Sequence, residues 1–397
     1  MKNSVAVIGL GYVGLPLAAA AAKSGYTVIG VDLDIERVKK INSGISPIED
    51  ISSSEILDLV GRGSLKANSD YSALKGADVI LICVPTPLTS DHQPDLTYLE
   101  SAANSISNNL SNGSLLILES TVAPGTTRDF LTPLIASGSG IDIADLDIVF
   151  SPERIDPLNQ KWNLKNTPKI IAGLTPKSRK RAVDFYSKFV DIVIECEEVE
   201  VAETAKLLEN SFRLVNISFI NELSIFCQKL GININDVISA ASTKPYGFMP
   251  FYPSIGIGGH CIPVDPLYLA NKAKEVGAPT KIINLAAQIN LEMPGYFVGR
   301  AEEKLGGLKA RKVLVVGVSY KPNVADVRET PVKALITGLK KKGAQVSWHD
   351  DLVKEWNGEK SVALSGDFDL AILATPHDYL DLTKLGNVPI LNTRGSV

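Results

Sequence analysis

A glycine-rich segment around one cysteine has the strongest chemical signal in the sequence. It reads GIGGHCIPVDP from Gly256 to Pro266. Its glycines allow positive φ and the close approach of a ligand, and a helix that begins near Cys261 would lower the pKa of the thiol. Asp265 follows four residues later, on the same helical face, where a carboxylate can activate water near the sulfur. We predict that Cys261 is a nucleophile; His260 is a second choice as a base, since loop histidines more commonly make structural hydrogen bonds.

The other three cysteines, Cys83, Cys196 and Cys227, lie in apolar segments, and we predict that they belong to the core. A buried structural cysteine is also the general alternative for Cys261. The adjoining Gly, His, Asp and Pro residues favour the catalytic interpretation instead. The four cysteines are widely spaced and include no CxxC pair. This spacing is typical of reduced thiols in a cytoplasmic protein and predicts no metal site.

The N-terminal sequence has the pattern of a dinucleotide-binding loop. Its GxGxxG residues are Gly9, Gly11, Tyr12, Val13 and Gly14. The loop follows an apolar strand, opens an alanine-rich helix and precedes Asp32 at the end of the next strand. Glycines let the backbone approach a pyrophosphate, and the helix N-terminus supplies amide donors. Since a carboxylate at Asp32 can bind ribose hydroxyls and would repel a 2′-phosphate, we predict NAD. The alternative is a glycine turn that serves only packing.

Short apolar runs separated by helical segments predict a parallel α/β sheet in the first half of the chain. These predicted strands are 4–9, 27–31, 78–84, 115–119 and 147–150. From Glu200 to Leu230, apolar residues recur at three- and four-residue spacing, which predicts a long helix. The segment 245–266 is rich in glycine and proline and predicts a structured loop, and 266–305 is helical again.

The α/β rhythm resumes after residues 306–307, with predicted strands at 312–316, 345–348, 369–374 and 389–391. The predicted fold class is therefore α/β, with two Rossmann-like domains joined by a central, mostly helical domain with a long helix. We place these domains at 1–199, 200–305 and 306–397. The segment Val316–Tyr320 lacks the full glycine pattern. Its residues leave open whether it is a degenerate nucleotide site or a packing turn.

Composition excludes several other classes of protein. Hydrophobic residues make up 45% of the 397 residues and charged residues 21%, as in a soluble globular protein of two or three domains. The formal net charge is -4 and no long basic run occurs, so we expect no nucleic-acid partner. No uninterrupted apolar stretch reaches about 18 residues, so we expect no membrane span.

Ordered motifs along nearly the whole chain resemble those of the UDP-glucose/GDP-mannose dehydrogenase family. They are GLGYVGLP at 9–16, VPTP at 84–87, STVAPGTT at 120–127, SPER at 151–154, AKLLEN at 205–210, GGHCIPVDP at 258–266, SYKPNVADVRETP at 319–331 and NTRG at 392–395. The resemblance implies an N-terminal NAD-binding domain, a central helical domain that forms a homodimer, and a C-terminal domain that binds a UDP-sugar. It thereby favours the nucleotide interpretation of the last domain.

The resemblance also implies a four-electron oxidation that consumes two NAD and one water per sugar. The C6 alcohol becomes an aldehyde, the cysteine thiolate adds to it, and a second oxidation gives a thioester that water hydrolyses to the acid. A covalent adduct is chemically reasonable because it holds the aldehyde for a second cofactor.

Position by position, the resemblance implies a set of functional residues. The implied catalytic residues are Cys261, Lys206, Asn210, Asp265, Glu153 and Thr121. The implied NAD contacts are Gly9, Gly11, Tyr12, Val13, Gly14, Asp32, Arg37, Thr86, Thr121 and Arg328. The implied substrate contacts are Glu153, Lys206, Asn210, Phe251, Tyr252, Gly258, Lys321 and Arg394. Lys206 and Asn210 are four residues apart on the predicted central helix, where ammonium and amide can stabilise negative charge on oxygen. For Lys206 alone, a solvated surface lysine would be the ordinary interpretation.

The segment 249–269 looks most like the branch that acts on UDP-N-acetylglucosamine, with UDP-glucose, UDP-N-acetylmannosamine and GDP-mannose as alternatives. Ser254 departs from the glycine or similar small residue that is common in relatives. Two rival classes are a two-electron hydroxyacid or 6-phosphogluconate dehydrogenase and a catalytically silent NAD-binding protein. The first needs no cysteine in a glycine loop and no third α/β domain. The second does not need the complete set of polar motif residues.

Overall fold

The structure, a computed structural model, describes residues 3–156, 159 and 161–395. The chain forms two compact units, Met1–Glu209 and Asn210–Val397. Each unit combines helices with its own sheet, mostly parallel in the first unit and parallel in the second. The predicted α/β fold class is therefore confirmed.

The sheet of the first unit is built from short, mostly apolar strands. They are β1 (Ser4–Ile8), β2 (Thr27–Val31), β3 (Leu65–Asn68), β4 (Val79–Ile82), β5 (Leu115–Leu118), β6 (Asp147–Phe150), β7 (Lys169–Gly173) and β8 (Val193–Cys196). Their order across the sheet is β3-β2-β1-β4-β5-β6-β7-β8. All neighbours pair in parallel except β6 and β7. The central strands are apolar on both faces because each face packs against a hydrophobic core.

Helices cover this sheet. They are α1 (Gly14–Lys23), α2 (Ile35–Asn42), α3 (Ser53–Gly61), α4 (Thr97–Ser107), α5 (Thr132–Ser139), α6 (Pro176–Tyr186) and α7 (Val199–Leu230), the last of which continues into the second unit. Four of the five alanines of α1 are buried, and their small side chains let the helix pack closely on the strands. Among the described residues, no helix combines the length and apolarity needed to cross a membrane.

Three strands of the first unit were not predicted from the sequence: β3, β7 and β8. β3 and β8 are the edge strands, and their partly exposed LKAN and VIEC sequences lack a continuous apolar run. β7 begins with Lys169, whose buried ammonium lies 2.7 Å from the Glu119 carboxylate. A lysine in the sequence argues against a buried strand, because lysines are almost never buried unless they are paired. The strand was therefore not predicted.

Parallel pairing brings the predicted functional residues of the first unit to one edge of the sheet. β1, β2, β4, β5 and β6 all run in the same direction, so their carboxyl ends lie together. The residues that follow these five strands include, in the same order, Gly9, Asp32, Thr86, Thr121 and Glu153. The strand order reverses between β1 and β4, the position at which open α/β sheets bind ligands.

The second unit contains the rest of α7 and a smaller α/β assembly. Its helices are α8 (Ile234–Ser242), α9 (Asp265–Glu275), α10 (Lys281–Leu305) and α11 (Val332–Lys341). Its strands are β9 (Lys312–Val316), β10 (Gln345–His349), β11 (Glu355–Trp356), β12 (Glu359–Lys360), β13 (Leu370–Leu373) and β14 (Ile390–Asn392). β10-β9-β13-β14 form a parallel sheet, and β11 and β12 pair as a small antiparallel ribbon. The Cys261 segment lies in the irregular chain between α8 and α9.

Candidate active site

The loop after β1 contains two glycines that are closely packed and one that borders open space. Gly9 has φ +86, and a Cβ there would lie 2.5 Å from the carbonyl oxygen of Cys83. A Cβ on Gly14 would collide with the carbonyl oxygen of Gly9. At Gly11, by contrast, the described residues place no atom within 4 Å of the Cβ position, chain neighbours aside. Packing therefore explains the outer glycines, whereas the middle one leaves room for a pyrophosphate beside the start of α1.

The Asp32 carboxylate organises this loop from the end of β2. It accepts hydrogen bonds from the amides of Leu10 at 2.7 Å and Asp34 at 2.9 Å. The Arg37 guanidinium forms an ion pair with it at 2.9 Å. The structure thus brings Asp32 and Arg37 together beside the glycine loop. Tyr12 and Val13, the other two predicted NAD contacts in this loop, are partly buried and pack against one of the two hydrophobic cores of the first unit.

The loops after β4 and β5 meet through two threonines. The Thr86 hydroxyl donates to the carbonyl oxygen of Thr121 at 2.7 Å. The loop of Thr121 is anchored in turn by Glu203 of α7, whose carboxylate accepts from the amides of Gly125 at 2.6 Å and Thr127 at 2.9 Å, and from the Thr127 hydroxyl at 2.6 Å. Burial raises the pKa of Glu203 to about 7, although these hydrogen bonds oppose that shift.

Glu153 and Lys206 are also brought together. The Lys206 ammonium donates to the carbonyl oxygen of Glu153 at 2.6 Å, and the Glu153 carboxylate accepts from the amide of Ile155. Burial raises the pKa of Glu153, while the positive charge of Lys206 opposes that shift. A carboxyl with a raised pKa exchanges protons closer to neutral pH, which suits acid–base work.

In the second unit, Cys261 lies exposed at the approach to α9. Its carbonyl oxygen accepts from the amides of Val264 at 3.2 Å and Asp265 at 2.8 Å, so a helical turn already runs from the cysteine into the helix. The amide-rich start of a helix favours a thiolate. The Asp265 carboxylate, one turn on, accepts from the Asn210 side-chain amide at 2.6 Å. The structure thus joins Asn210 to Asp265.

The glycines before the cysteine allow a close contact with the loop after β9. A Cβ on Gly258 would lie 2.6 Å from the carbonyl oxygen of Glu329, and one on Gly259 would lie 2.9 Å from the ring of Tyr320. Gly259 has φ +82, and its amide donates to the carbonyl oxygen of Arg328 at 3.2 Å. Larger residues at these two positions would displace the cysteine segment.

Two buried asparagines that the sequence reasoning missed hold the same segment from the helices. Asn290 of α10 accepts from the amide of Ile257 at 2.6 Å and donates to its carbonyl oxygen at 3.3 Å. Asn221 of α7 accepts from the amide of Ser254 at 2.8 Å. The Ser254 hydroxyl donates to the carbonyl oxygen of Gly256 at 3.2 Å, so this departure from the family pattern is accommodated within the loop. The local signal was weak, because each asparagine binds the backbone of a segment 33 residues away in the sequence.

The other predicted substrate contacts of the second unit lie in different environments. Phe251 packs edge-on against Phe212, with ring centroids 5.7 Å apart, whereas Tyr252 is exposed. Arg394 is partly buried, which lowers the pKa of its guanidinium, and its carbonyl oxygen accepts from Asn235 at 2.9 Å. The predicted NAD contact Arg328 lies in the loop after β9 and is paired with Asp326 at 2.5 Å. Lys321 lies in the same loop.

The turn after β9 repeats the geometry of the turn after β1. The Gly317 amide donates to the carbonyl oxygen of His349 at 2.8 Å, and the Val318 amide donates to the Asp350 carboxylate at 2.9 Å. These bonds match those of Gly9 to Val31 and of Leu10 to Asp32. A serine, however, stands where the first loop has its middle glycine. The turn thus keeps the packing glycine of a dinucleotide loop without the glycine that leaves room for a pyrophosphate.

Among the residues that the structure describes, no group of three or more His, Cys, Asp or Glu side chains is placed to hold a metal ion. The predicted catalytic residues offer a thiol, carboxyls, a hydroxyl, an ammonium and an amide. A Rossmann-type sheet with a glycine loop open to a pyrophosphate is characteristic of NAD-dependent oxidoreductases.

Comparison with known proteins identifies the particular family. Residues 3–190 match the NAD binding domain of the UDP-glucose/GDP-mannose dehydrogenase family, residues 200–292 match its central domain, and residues 314–392 match its UDP binding domain. The chain belongs to this family, and it is an NAD-dependent nucleotide-sugar dehydrogenase. The turn after β9, whose role the residues alone left open, lies within the part of the chain that matches the UDP binding domain.

Individual relatives are similar over nearly the whole chain. The UDP-N-acetyl-D-mannosamine dehydrogenase of Pyrococcus horikoshii is 35% identical over 379 residues, which cover 94% of this chain and 89% of that protein. The UDP-N-acetyl-D-glucosamine 6-dehydrogenase of Pseudomonas aeruginosa is 34% identical over 393 residues, which cover 95% and 91%. A solved structure of UDP-D-ManNAc dehydrogenase from P. horikoshii has a TM-score of 0.91 at 33% identity and covers 98% of this chain and 95% of that one.

The open space at Gly11 generates a prediction that separates binding from folding. Replacing Gly11 by alanine should leave the thermal unfolding midpoint unchanged, because the added methyl group meets no neighbouring protein atom. The same methyl group should obstruct the pyrophosphate and weaken NAD binding by about tenfold or more, the size expected for the loss of one or two hydrogen bonds. Fluorescence titration with NAD measures the dissociation constant.

Gly61 of α3 supplies the matched control, because its Cβ position is also at least 4 Å from other described residues, chain neighbours aside. Gly61→Ala should keep both the unfolding midpoint and the NAD affinity. Equal NAD affinity in Gly11→Ala and the wild type would contradict the assignment of this loop.

Proposed function

We propose that this chain oxidises the C6 alcohol of a UDP-sugar to a carboxylate through a covalent intermediate on Cys261. The observation that supports this most strongly is the position of the thiol. It is exposed, it begins the helical turn that leads into α9, and Asp265 follows one turn later. Close-packed glycines fix the backbone just before it.

The chemistry proceeds in four steps. NAD, when bound, supplies the hydride acceptor for each of the two oxidations. In the first oxidation the C6 hydroxyl loses its proton to a base and the carbon loses a hydride, which gives an aldehyde. The Cys261 thiolate adds to the aldehyde carbon, and the oxygen takes up a proton to form a thiohemiacetal. Loss of that proton and of a second hydride gives a thioester. Water then adds to the carbonyl carbon, the C–S bond breaks, and the thiolate and the acid are released.

The other catalytic residues would stabilise charge and handle water. The ammonium of Lys206 and the amide of Asn210 would stabilise negative charge that develops on the substrate oxygen. Asp265, Glu153 and Thr121 would position or activate the water that hydrolyses the thioester. The raised pKa of Glu153 supports an acid–base role for that residue.

The proposed cofactor and substrate contacts are each drawn from more than one domain. We place an NAD-binding domain at 1–199, a central dimerisation domain at 200–305 and a sugar-nucleotide domain at 306–397. The proposed NAD contacts are Gly9, Gly11, Tyr12, Val13, Gly14, Asp32, Arg37, Thr86, Thr121 and Arg328. The proposed substrate contacts are Glu153, Lys206, Asn210, Phe251, Tyr252, Gly258, Lys321 and Arg394, of which the cationic side chains suit the oxygens of a diphosphate.

For the sugar we propose UDP-N-acetylglucosamine, on the basis of the segment 249–269. Relatives named for this substrate are 33–34% identical to the chain. Relatives named for UDP-N-acetyl-D-mannosamine are 33–36% identical, so overall identity does not separate the two sugars. UDP-glucose and GDP-mannose are the further alternatives.

A substrate panel tests reaction and sugar together. Purified protein with NAD should produce NADH fastest with UDP-N-acetylglucosamine, and the endpoint should be two NADH per sugar consumed. A ratio of one would overturn the four-electron reaction and favour a two-electron dehydrogenase. Faster turnover of UDP-N-acetylmannosamine, UDP-glucose or GDP-mannose would reassign the sugar. No NADH from any sugar would favour a catalytically silent protein.

Replacing Cys261 by serine tests the covalent step. We expect steady-state turnover to fall by at least about a thousandfold, since a hydroxyl cannot replace the thiolate as nucleophile. NAD affinity should be unchanged, because Cys261 is not among the proposed NAD contacts. Cys196→Ser, at the partly buried edge strand β8, is the matched control and should retain turnover. Normal production of the acid by Cys261→Ser would rule out the thioester.

We also propose a homodimer through α7. Within the second unit, one face of this helix is exposed and apolar at a spacing of seven, seven and four residues: Phe212 (46%), Phe219 (57%), Phe226 (56%) and Leu230 (59%). The faces beside and behind this stripe pack inward through Leu214, Ile220 and Cys227. A stripe of this kind on a helix is typical of a self-association surface.

Replacing Phe219 by aspartate should convert the dimer into a monomer, because a charge would replace an apolar side chain whose burial contributes about 1.5–3 kcal/mol. Light scattering coupled to size exclusion measures the mass. Ile143→Asp is the control, since this side chain is similarly exposed (55%) but is not part of α7. A wild-type protein that is monomeric at assay concentration would refute the dimer.

A further inference from the structure

The loop Ser319–Asn323, here called the lysine loop, contains Lys321 and is held by the segment that follows β13. The Thr375 hydroxyl donates to the carbonyl oxygen of Ser319 at 2.7 Å. At the other end, the Asn323 amide donates to Nδ1 of His377 at 2.9 Å. Two hydrogen bonds at 2.7 and 3.0 Å also link the Asn323 side chain to Asp378. Both ends of the lysine loop are therefore fixed by one short segment.

The surroundings of His377 determine which of its ring nitrogens donates a hydrogen bond and which accepts one. Its Nε2 lies 3.1 Å from the Asp350 carboxylate, and both side chains are fully buried. Burial would raise the pKa of Asp350, but hydrogen bonds from His377 and the Val318 amide lower it to about 2. A carboxylate only accepts, so Nε2 must donate a proton to it, whereas Nδ1 must keep a lone pair for the Asn323 amide. The geometry thus makes Nδ1 the acceptor and Nε2 the donor.

The lysine loop is also in contact with the cysteine segment. The ring of Tyr320 packs so closely on Gly259 that a Cβ there would lie 2.9 Å from it, and the Tyr320 Cβ lies 2.8 Å from the Cβ position of Gly258. The position of the lysine loop therefore bears on the glycines that precede Cys261.

We propose that His377, oriented by the contact of its Nε2 with Asp350, is a positioning residue that places the lysine loop for the diphosphate of the sugar nucleotide. This inference rests on the proposed function, because it takes Lys321 to be a substrate contact. The acceptor at Nδ1 sets the end of the loop through Asn323. The donor at Nε2 binds Asp350 at 3.1 Å and lies 3.5 Å from the hydroxyl oxygen of Ser319, at the start of the loop. The two nitrogens therefore act on opposite ends of the loop, and their effects can be separated.

Two substitutions separate these effects, because asparagine places an acceptor oxygen near the site of Nδ1, while glutamine places a donor nitrogen near the site of Nε2. His377→Asn should keep the bond to the Asn323 amide and bind UDP nearly as well as the wild type. His377→Gln should lose it and weaken UDP binding by about tenfold, as expected for the loss of one hydrogen bond. The KM for the sugar nucleotide should rise in parallel, with a smaller change in kcat.

Isothermal titration with UDP and with NAD, thermal unfolding and steady-state kinetics on the full chain provide the readouts. NAD affinity should be equal in all three proteins. Equal weakening of UDP binding in both variants, in step with a lower unfolding midpoint, would show that His377 has only a structural role and would overturn the inference. Unchanged UDP affinity in His377→Gln would overturn it as well. A wild type that binds UDP but makes no NADH would refute the proposed function instead, while the ratio of UDP affinities still decides the role of His377.

Discussion

Parallel strand pairing is the constraint on which the rest of this structure depends. Adjacent parallel strands must be joined by a crossover, so the segment after each strand always emerges at the same edge of the sheet. In the first unit this places the glycine loop, Asp32, Thr86 and Thr121 at one edge of the sheet. The direction of the strands is sufficient for this, and no specific contact between the loops is required. A single reversal of strand order, between β1 and β4, then opens the crevice beside the glycine loop.

The same local solution appears twice in the chain. After both β1 and β9, a glycine with positive φ packs against a carbonyl oxygen that follows the adjacent strand, β4 or β13. The amide of the next residue then donates to an aspartate that follows the strand on the other side, β2 or β10. In the first unit that aspartate, Asp32, is paired with an arginine. In the second unit Asp350 is paired with His377. One backbone arrangement therefore supports two different functional surroundings.

Much of the fold could be predicted from the sequence, because the buried strands and α7 have strong periodic patterns. The dinucleotide loop and the cysteine segment were also visible, since both depend on short runs of particular residues. Glu203, Asn290 and His377 were missed for a common physical reason. Each side chain binds the backbone of a distant segment, at a sequence separation of 78, 33 and 54 residues respectively, so local spacing contains no trace of the contact. The roles of Lys206 and Asn210 came only from the family resemblance.

The carboxyl of Glu203 makes the anchoring of the Thr121 loop a proton-linked equilibrium. Its folded pKa of about 7 exceeds the ordinary value of 4.5, so the folded chain holds this proton more tightly than the unfolded chain. Its contribution to stability is therefore complete below about pH 4.5 and is lost as the pH rises through 7, a change on the order of 3 kcal/mol. Folding would take up a proton between those values, and a mildly alkaline solution would place a charge where the protein interior solvates it poorly.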